Sequence, residues 1–264
     1  MDLQLNGKHA LVTGSTAGIG LAIAKVLASE GAQVILNGRT AERVLAAAEA
    51  IRAEFPDAIL NSFVGDLSRS EQAKSLTSAF AHVDILVNNL GIYEAKPFEE
   101  ITDADWHSII ETNFMSGLRL SRYYLPRMKK SGWGRIIFVS SESAVNIPVE
   151  MIHYGVTKTM QVALARGLAE TTKGTAVTVN SILAGPTRSE GVEGFVKGVA
   201  RSRNVKPEVV EKEFFETVRP SSLLQRFATV EEVASMVAYV SSPHSSATNG
   251  AALRVDGGVV RSIL

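Results

Sequence analysis

The sequence predicts an α/β fold: one domain built on a doubly wound, mostly parallel sheet of seven strands. Three observations carry this. Short apolar runs alternate with helix-like segments at the spacing of βαβ units, which forces parallel pairing. The strand-like runs are almost continuously apolar, as a sheet covered on both faces requires. A glycine-rich turn, Gly14-Ser15-Thr16-Ala17-Gly18-Ile19-Gly20, joins the first strand to the first helix.

The elements follow in order. Ala10-Leu11-Val12 reads as a buried strand, and after the turn Ile19, Ile23, Val26 and Leu27 share one helical face. Gln33 to Asn37 is the second strand. Ala41 to Glu54 is a helix with Thr40 as N-cap. Ala58 to Val64 is the third strand, and Ser68-Arg69-Ser70-Glu71 reads as a capping box opening the third helix. Val83 to Val87 is the fourth strand, ending at Asn88-Asn89-Leu90-Gly91. Thr102-Asp103-Ala104-Asp105 starts a helical region that merges, after Asn113, into a long helix reaching about Lys130. Arg135 to Ser140 is the fifth strand, Met151 to Lys173 a helix, and Ala176 to Leu183 the sixth strand. The alternation breaks over 187–227, where Pro207 opens a short helix, Glu208 to Val218. Following the sixth strand, this segment falls at the carboxyl edge of the sheet, where such folds bind ligands. It reads as a mobile cover over a substrate pocket, or else as a surface hairpin packing on a neighbouring subunit. Thr229-Val230-Glu231-Glu232 caps a last helix, and Ala251 to Val255 is the seventh strand. No linker splits the chain.

Composition narrows the function. The 264 residues are 45% hydrophobic, and 27 basic residues balance 27 acidic ones without a basic block, so nucleic-acid or anionic-membrane binding has no electrostatic support. With no cysteine, disulfides and thiolate chemistry are excluded, and the five histidines share no metal-ligand spacing. No apolar run is long enough for a membrane helix, and Met1-Asp2-Leu3-Gln4 lacks the features of a signal peptide. A cytoplasmic location is the expectation.

The glycine turn points to a dinucleotide. Glycine leaves no Cβ to block a ligand, and amides at a helix start can hold a pyrophosphate. The absence of a Gly-Lys-Ser/Thr ending disfavours a mononucleotide loop. Alone, the trio also fits a tight turn with close packing. A second constellation adds chemistry. Tyr154 and Lys158 lie four apart on a helix and share a face, so the ammonium would draw the phenol below its usual value, near pH 10. A phenol so tuned exchanges a proton near neutrality. Ser141, at the end of the fifth strand, would face the same crevice. Each residue has an ordinary structural explanation by itself; their order along the chain is what counts.

On these residues the chain resembles the short-chain dehydrogenase/reductase family over nearly its whole length. Thr13-Gly14-x-x-x-Gly18-Ile19-Gly20 is similar to the family's cofactor motif, and Asn88-Asn89-Leu90-Gly91 to its Asn-Asn-Ala-Gly motif. Ser141, Tyr154 thirteen positions on, and Lys158 match its catalytic triplet, with Asn113 at the catalytic asparagine. The resemblance implies a Rossmann-type fold and a hydride passed between nicotinamide and a ketone or secondary alcohol. Tyr154 would be the general acid/base. Lys158 would lower its pKa and bind the nicotinamide ribose. Ser141 would polarise the substrate carbonyl, and Asn113 would hold a water in a proton relay. Gly14, Ser15, Thr16, Gly18, Ile19, Gly20 and Gly91 would line the cofactor. Asp66 and Leu67 would meet the adenine and Asn88 the adenosine ribose. Gly185 would lie near the carboxamide, and Thr187 or Ser189 would supply its hydroxyl. Tyr93, Val145, Asn146, Ile147, Pro148 and Met151 would border the crevice.

Three departures from the family pattern matter. Gly38 stands where NAD-dependent relatives carry Asp, and Arg39 offers a planar cation for a 2′-phosphate, so NADP(H) is expected over NAD(H). Leu90 replaces Ala, and Ala184-Gly185-Pro186 replaces Pro-Gly. The helices over 113–130 and 151–173 are apolar beyond one stripe, and relatives commonly form tetramers through them, so a homotetramer or homodimer is expected. Other readings are an epimerase or dehydratase of the same family and a non-catalytic dinucleotide-sensing regulator. Intact Ser141, Tyr154 and Lys158 argue against the regulator.

Overall fold

The computed structural model describes residues 2–263. Seven strands form one sheet: β1 (His9–Val12), β2 (Gln33–Gly38), β3 (Leu60–Val64), β4 (Ile85–Asn88), β5 (Gly134–Ser141), β6 (Val177–Ala184) and β7 (Ala252–Val255). Their order is β3-β2-β1-β4-β5-β6-β7, and every pair is parallel. The chain runs outward from β1 to β3, then returns to place β4 on the other side of β1. The carboxyl ends of β1 and β4 therefore flank the switch point, where a doubly wound sheet opens a crevice.

Strand alternation divides the core into two layers. Ala10, Val12, Val34, Leu36, Ile137 and Ile182 face one way, against α1 (Gly18–Ser29), α2 (Ala41–Glu54) and the last helix, Val230–Ser241. Leu11, Ile35, Leu86, Ile136, Phe138 and Val179 face the other, against α3 (Ser70–Ala79), α5 (Ser116–Ser131) and α6 (Ile152–Glu170). Both faces being covered is why the five inner strands are buried almost throughout, whereas the edge strands β3 and β7 stay partly exposed.

The caps at Thr40, Thr102 and Thr229 form, the last two as full capping boxes. The box expected at 68–71 does not. Asp66 Oδ1 instead accepts from both the amide and the hydroxyl of Ser68, so α3 starts at Ser70 without a side-chain cap. The long helix expected through Asn113 is interrupted: α4 (Asp103–Ile110) passes into a π turn, Glu111–Met115, before α5 begins. Along the π turn, α5 and α6, Phe114, Met115, Leu118, Tyr123, Val156, Met160, Val162, Leu164 and Leu168 stay only half-buried.

Segment 187–227 holds two helices rather than one, α7 (Glu190–Arg203) and α8 (Pro207–Glu213), the second continued by a π turn, Phe214–Val218. Val196, Ala200, Val210, Phe215 and Phe227 give this hairpin its own small core. The helix over 190–203 is obscured in the sequence by Gly191, Gly194 and Gly198. A Cβ at Gly194 or Gly198 would meet open space, so no close contact required glycine there. Val230–Ser241 is α9. Among the described residues no helix is long and apolar enough to cross a membrane.

Candidate active site

The glycine turn is shaped by its neighbours. Gly14 and Gly18 take positive φ, +61° and +53°. A Cβ on Gly20 would lie 2.3 Å from the Gly14 carbonyl and 2.5 Å from Asn89 Nδ2, so α1 packs directly on the turn. The first turn of α1 carries no acidic residue, and its N-cap, Ala17, makes no side-chain cap bond. Its amides thus suit an anion. Thr13 Oγ1 accepts from the amides of Asn89 and Leu90, and Asn89 Nδ2 donates to the carbonyls of Thr13 and Gly14. These bonds tie the Asn-Asn-Leu-Gly run to the glycine turn. Asn37 Oδ1 accepts from the Gly14 amide, while its Nδ2 donates to the carbonyls of Phe63 and Gly65. Ser15 is fully buried, its hydroxyl accepting from the Asn37 amide; it therefore faces β2. The added bulk of Leu90 packs against Gly14, where a Cβ would meet Leu90 Cα at 3.3 Å.

At the end of β2, Gly38 is buried under Thr16. A Cβ there would lie 2.4 Å from Thr16 Cγ2 and 2.9 Å from Val44 Cγ2. Arg39 is exposed. Leu67 is buried, Asp66 is engaged with Ser68, and buried Asn88 donates to Ser121 Oγ while its Oδ1 has no hydrogen-bond partner.

Ser141, Asn113, Tyr154 and Lys158 meet at the carboxyl edge of β4 and β5. Ser141 ends β5, and its hydroxyl accepts from the Ser143 amide at 3.1 Å. Tyr154 and Lys158 share the face of α6 turned to β5, with Lys158 Nζ 5.5 Å from the Tyr154 ring centroid. Lys158 Nζ donates to the Val139 carbonyl at 3.0 Å and to Gln161 Oε1 at 3.3 Å. Asn113 sits in the π turn. Its side chain accepts from the Ile92 amide and donates to the Ile92 carbonyl and Thr157 Oγ1. Gly91 lies beside the group: a Cβ there would be 3.5 Å from Lys158 Nζ and 3.6 Å from Asn113 Oδ1.

Burial dominates the electrostatics. It pushes the Tyr154 phenol up to about 12, with the Ser141 hydroxyl pulling back through a hydrogen bond and Glu142 adding to the rise. Burial also brings the Lys158 amine down to about 8. The expectation that Lys158 lowers Tyr154 is not met here: desolvation by burial is the largest influence on the phenol, and Lys158, itself buried and with two of its three donors on Val139 and Gln161, does not offset it.

The crevice residues fall around this group. Tyr93 stands edge-on to Tyr154 with ring centroids 6.1 Å apart, Val145, Asn146 and Ile147 are exposed, and Met151 is half-buried. Pro148 is buried. Gly185 packs on the backbone of Asp256, where a Cβ would meet Cα at 2.6 Å. The Thr187 hydroxyl donates to the Gly185 carbonyl, while Ser189 caps α7 close to Gly18.

Three residues were missed from sequence. Buried Glu142, next to Ser141, accepts from Arg219 Nε at 3.0 Å, and Arg219 also reaches Glu150 Oε1 at 3.4 Å. This pair bolts the 187–227 segment to the end of β5. Gln161 is the third. A glutamic acid between serines after an apolar strand, and a glutamine on the Lys158 side of α6, were the available signals. Their partners lie 77 and 48 positions away, beyond any local pattern.

A glycine turn at the switch point of a parallel sheet, facing a Ser/Tyr/Lys/Asn group, defines an α/β domain of the Rossmann type. A family model described as short chain dehydrogenase matches residues 8–199. The chain is 47% identical, over the full length of both, to an uncharacterized oxidoreductase, YvaG, of Bacillus subtilis. It is 34% identical to D-beta-hydroxybutyrate dehydrogenase of Cupriavidus necator, covering 97% of this chain and 99% of that one. Among solved structures, L-sorbose reductase from Gluconobacter frateurii, complexed with NADPH and L-sorbose, superposes with a TM-score of 0.93 at 29% identity over 100% of both chains. The chain belongs to the short-chain dehydrogenase/reductase family, oxidoreductases acting on CH–OH and C=O groups.

Proposed function

We propose that the chain is an NADP(H)-dependent carbonyl reductase or alcohol dehydrogenase acting on a small ketone or secondary alcohol. The observation that carries this reading is the convergence of Ser141, Tyr154, Lys158 and Asn113 on one cleft beside Gly91. The glycine turn fits a dinucleotide, since Gly14 and Gly18 hold backbone shapes that side chains resist and the α1 amides carry no side-chain cap. Gly14, Thr16, Gly18, Ile19 and Gly20 would hold the pyrophosphate. Asp66, Leu67 and Asn88 would hold the adenosine, Lys158 the nicotinamide ribose, and Gly185 and Thr187 the carboxamide side. The bound cofactor supplies or accepts the hydride.

The chain's own part is proton transfer and orientation. Ser141 donates a hydrogen bond to the substrate oxygen. Tyr154, held protonated near neutrality by its burial, gives that oxygen a proton in reduction and takes it back in oxidation. The π turn fixes Asn113 against Ile92 and Thr157, and so shapes the wall beside Gly91. Segment 187–227, bolted down through Arg219, serves as the cover.

Two features support NADP(H). Thr16 and Val44 fill the space an Asp at 38 would need, and exposed Arg39 stands next to it with its guanidinium open to a phosphate. A homotetramer built on the half-buried apolar faces of α5 and α6 completes the reading. A carbonyl and alcohol screen that follows NADPH absorbance tests it, with ketoses and polyols, hydroxy and keto acids, and acyl thioesters as the substrate sets. Turnover in one set is the expected result; NADPH binding without turnover in any would favour the sensing regulator.

A further inference from the structure

We propose that Gln161 is a positioning residue of the acid/base centre: one buried amide that receives the Lys158 ammonium and occupies the Asn113 carbonyl, locking α6 to the π turn. This rests on the proposed roles of Tyr154 and Lys158. Gln161 is 1% exposed and lies three residues after Lys158 on the same face of α6. Its Nε2 donates to the Asn113 carbonyl at 2.5 Å, and its Oε1 accepts from Lys158 Nζ at 3.3 Å.

The geometry has three consequences. An ammonium has three donors. Lys158 gives one to Val139 and one to Gln161, which leaves a single N–H for the open side, where Gly91 lacks a side chain. Gln161 thereby sets the direction of the only donor that can serve the cleft. Second, the Asn113 carbonyl, in a turn where the helical ladder is interrupted, takes its hydrogen bond from protein. One of the two lone pairs of the Asn113 carbonyl is thus taken by the amide, and this chain joins Asn113 to Lys158 through a side chain. Third, an amide does not readily relay a proton. The Gln161 link therefore positions Lys158 without itself carrying the proton. A leucine at 161 would fill similar volume but would strand the Asn113 carbonyl and free Lys158 to swing.

The groups around Lys158 make its ionisation a clean readout. Tyr154 is the titratable neighbour on its own helix. Glu142 at the end of β5 and Arg219 on the cover act on Tyr154, whereas burial alone moves Lys158. Glu111, in the π turn, is paired with Arg119.

The test compares Gln161→Leu and Gln161→Glu with the unmodified protein. Circular dichroism and thermal melting check the fold. The Lys158 amine is titrated by NMR on lysine labelled at Cε, the signal being assigned by its loss in Lys158→Arg. NADPH affinity and the pH profile of kcat follow. Removing a charge-assisted hydrogen bond should lower kcat about tenfold and weaken NADPH binding while leaving the substrate KM near its original value. The Lys158 midpoint should fall in Gln161→Leu, which loses an acceptor, and rise in Gln161→Glu, which gains an anion. Folded variants whose Lys158 titration and kcat profile superimpose on those of the unmodified protein would overturn the proposal. Should Gln161→Leu not fold, the near-isosteric Gln161→Glu carries the test through its Lys158 midpoint. That titration needs neither cofactor nor turnover, so a failure of the oxidoreductase reading would show separately, as an unmodified protein that reduces nothing.

Discussion

Replacing Lys158 by Met should stabilise the protein near neutral pH and destabilise it in alkali. Lys158 is 4% exposed, and burial lowers its amine from 10.5 to about 8. At about 1.4 kcal/mol for each pH unit, that fall costs the folded state about 3 kcal/mol whenever the amine is charged. The sign follows from proton counts. Below about pH 8 both folded and unfolded chains carry the proton, and the full cost is present. Between about pH 8 and 10.5 the unfolded chain binds a proton that the folded chain does not, so stability rises with pH. Methionine keeps the length of the side chain and removes the charge. It also leaves the Val139 carbonyl and Gln161 Oε1 without their donor, which costs about 1–2 kcal/mol. The net expectation is a variant about 1–2 kcal/mol more stable at pH 7, the advantage shrinking above pH 8 and reversing near pH 10. Urea unfolding of both proteins across this range, at fixed protein concentration, reads the difference directly. A gap that stays constant with pH would refute the reasoning, because it would mean the Lys158 amine titrates alike in both states.

Two further outcomes concern the cofactor and the cover. Arg39→Ala should reduce kcat/KM with NADPH at least about tenfold while leaving NADH nearly unaffected, if Arg39 makes the proposed charge-assisted phosphate contact; equal losses with both cofactors would count against a phosphate contact. Arg219→Ala leaves Glu142, whose carboxyl burial already pushes up, without its cation. Breaking such a pair from one side costs about 3–5 kcal/mol. Melting should fall accordingly and proteolysis within 187–227 should accelerate; an unchanged cleavage pattern would show that the pair does not hold the segment.

How legible the chain was depended on how local each determinant is. The bounds of α2 and the caps at Thr40, Thr102 and Thr229 follow from neighbours within four residues, and sequence reasoning located them. The strands were legible because a two-sided burial requirement writes itself as an apolar run. The capping box at 68–71 failed because Asp66, two residues upstream of Ser68, competed for the same hydroxyl. Helix α7 was hidden because its three glycines argue against a helix, while the contacts of Val196 and Ala200 with α8 favour it. At the site, the order of Ser141, Tyr154 and Lys158 could be read, but their electrostatics could not. The rise of Tyr154 and the fall of Lys158 come from burial, which depends on the fold around them. Glu142–Arg219 and Gln161–Asn113 join distant segments, so only the folded chain reveals them.

The central claim is that the Tyr154 hydroxyl moves the proton in a hydride-transfer reaction. Tyr154→Phe removes that oxygen and keeps the ring that stands against Tyr93. On a substrate found by the screen, kcat should drop about a thousandfold or more, within the range of a lost general acid, while the NADPH dissociation constant stays within about twofold. Turnover retained in Tyr154→Phe, with NADPH still bound, would contradict the account.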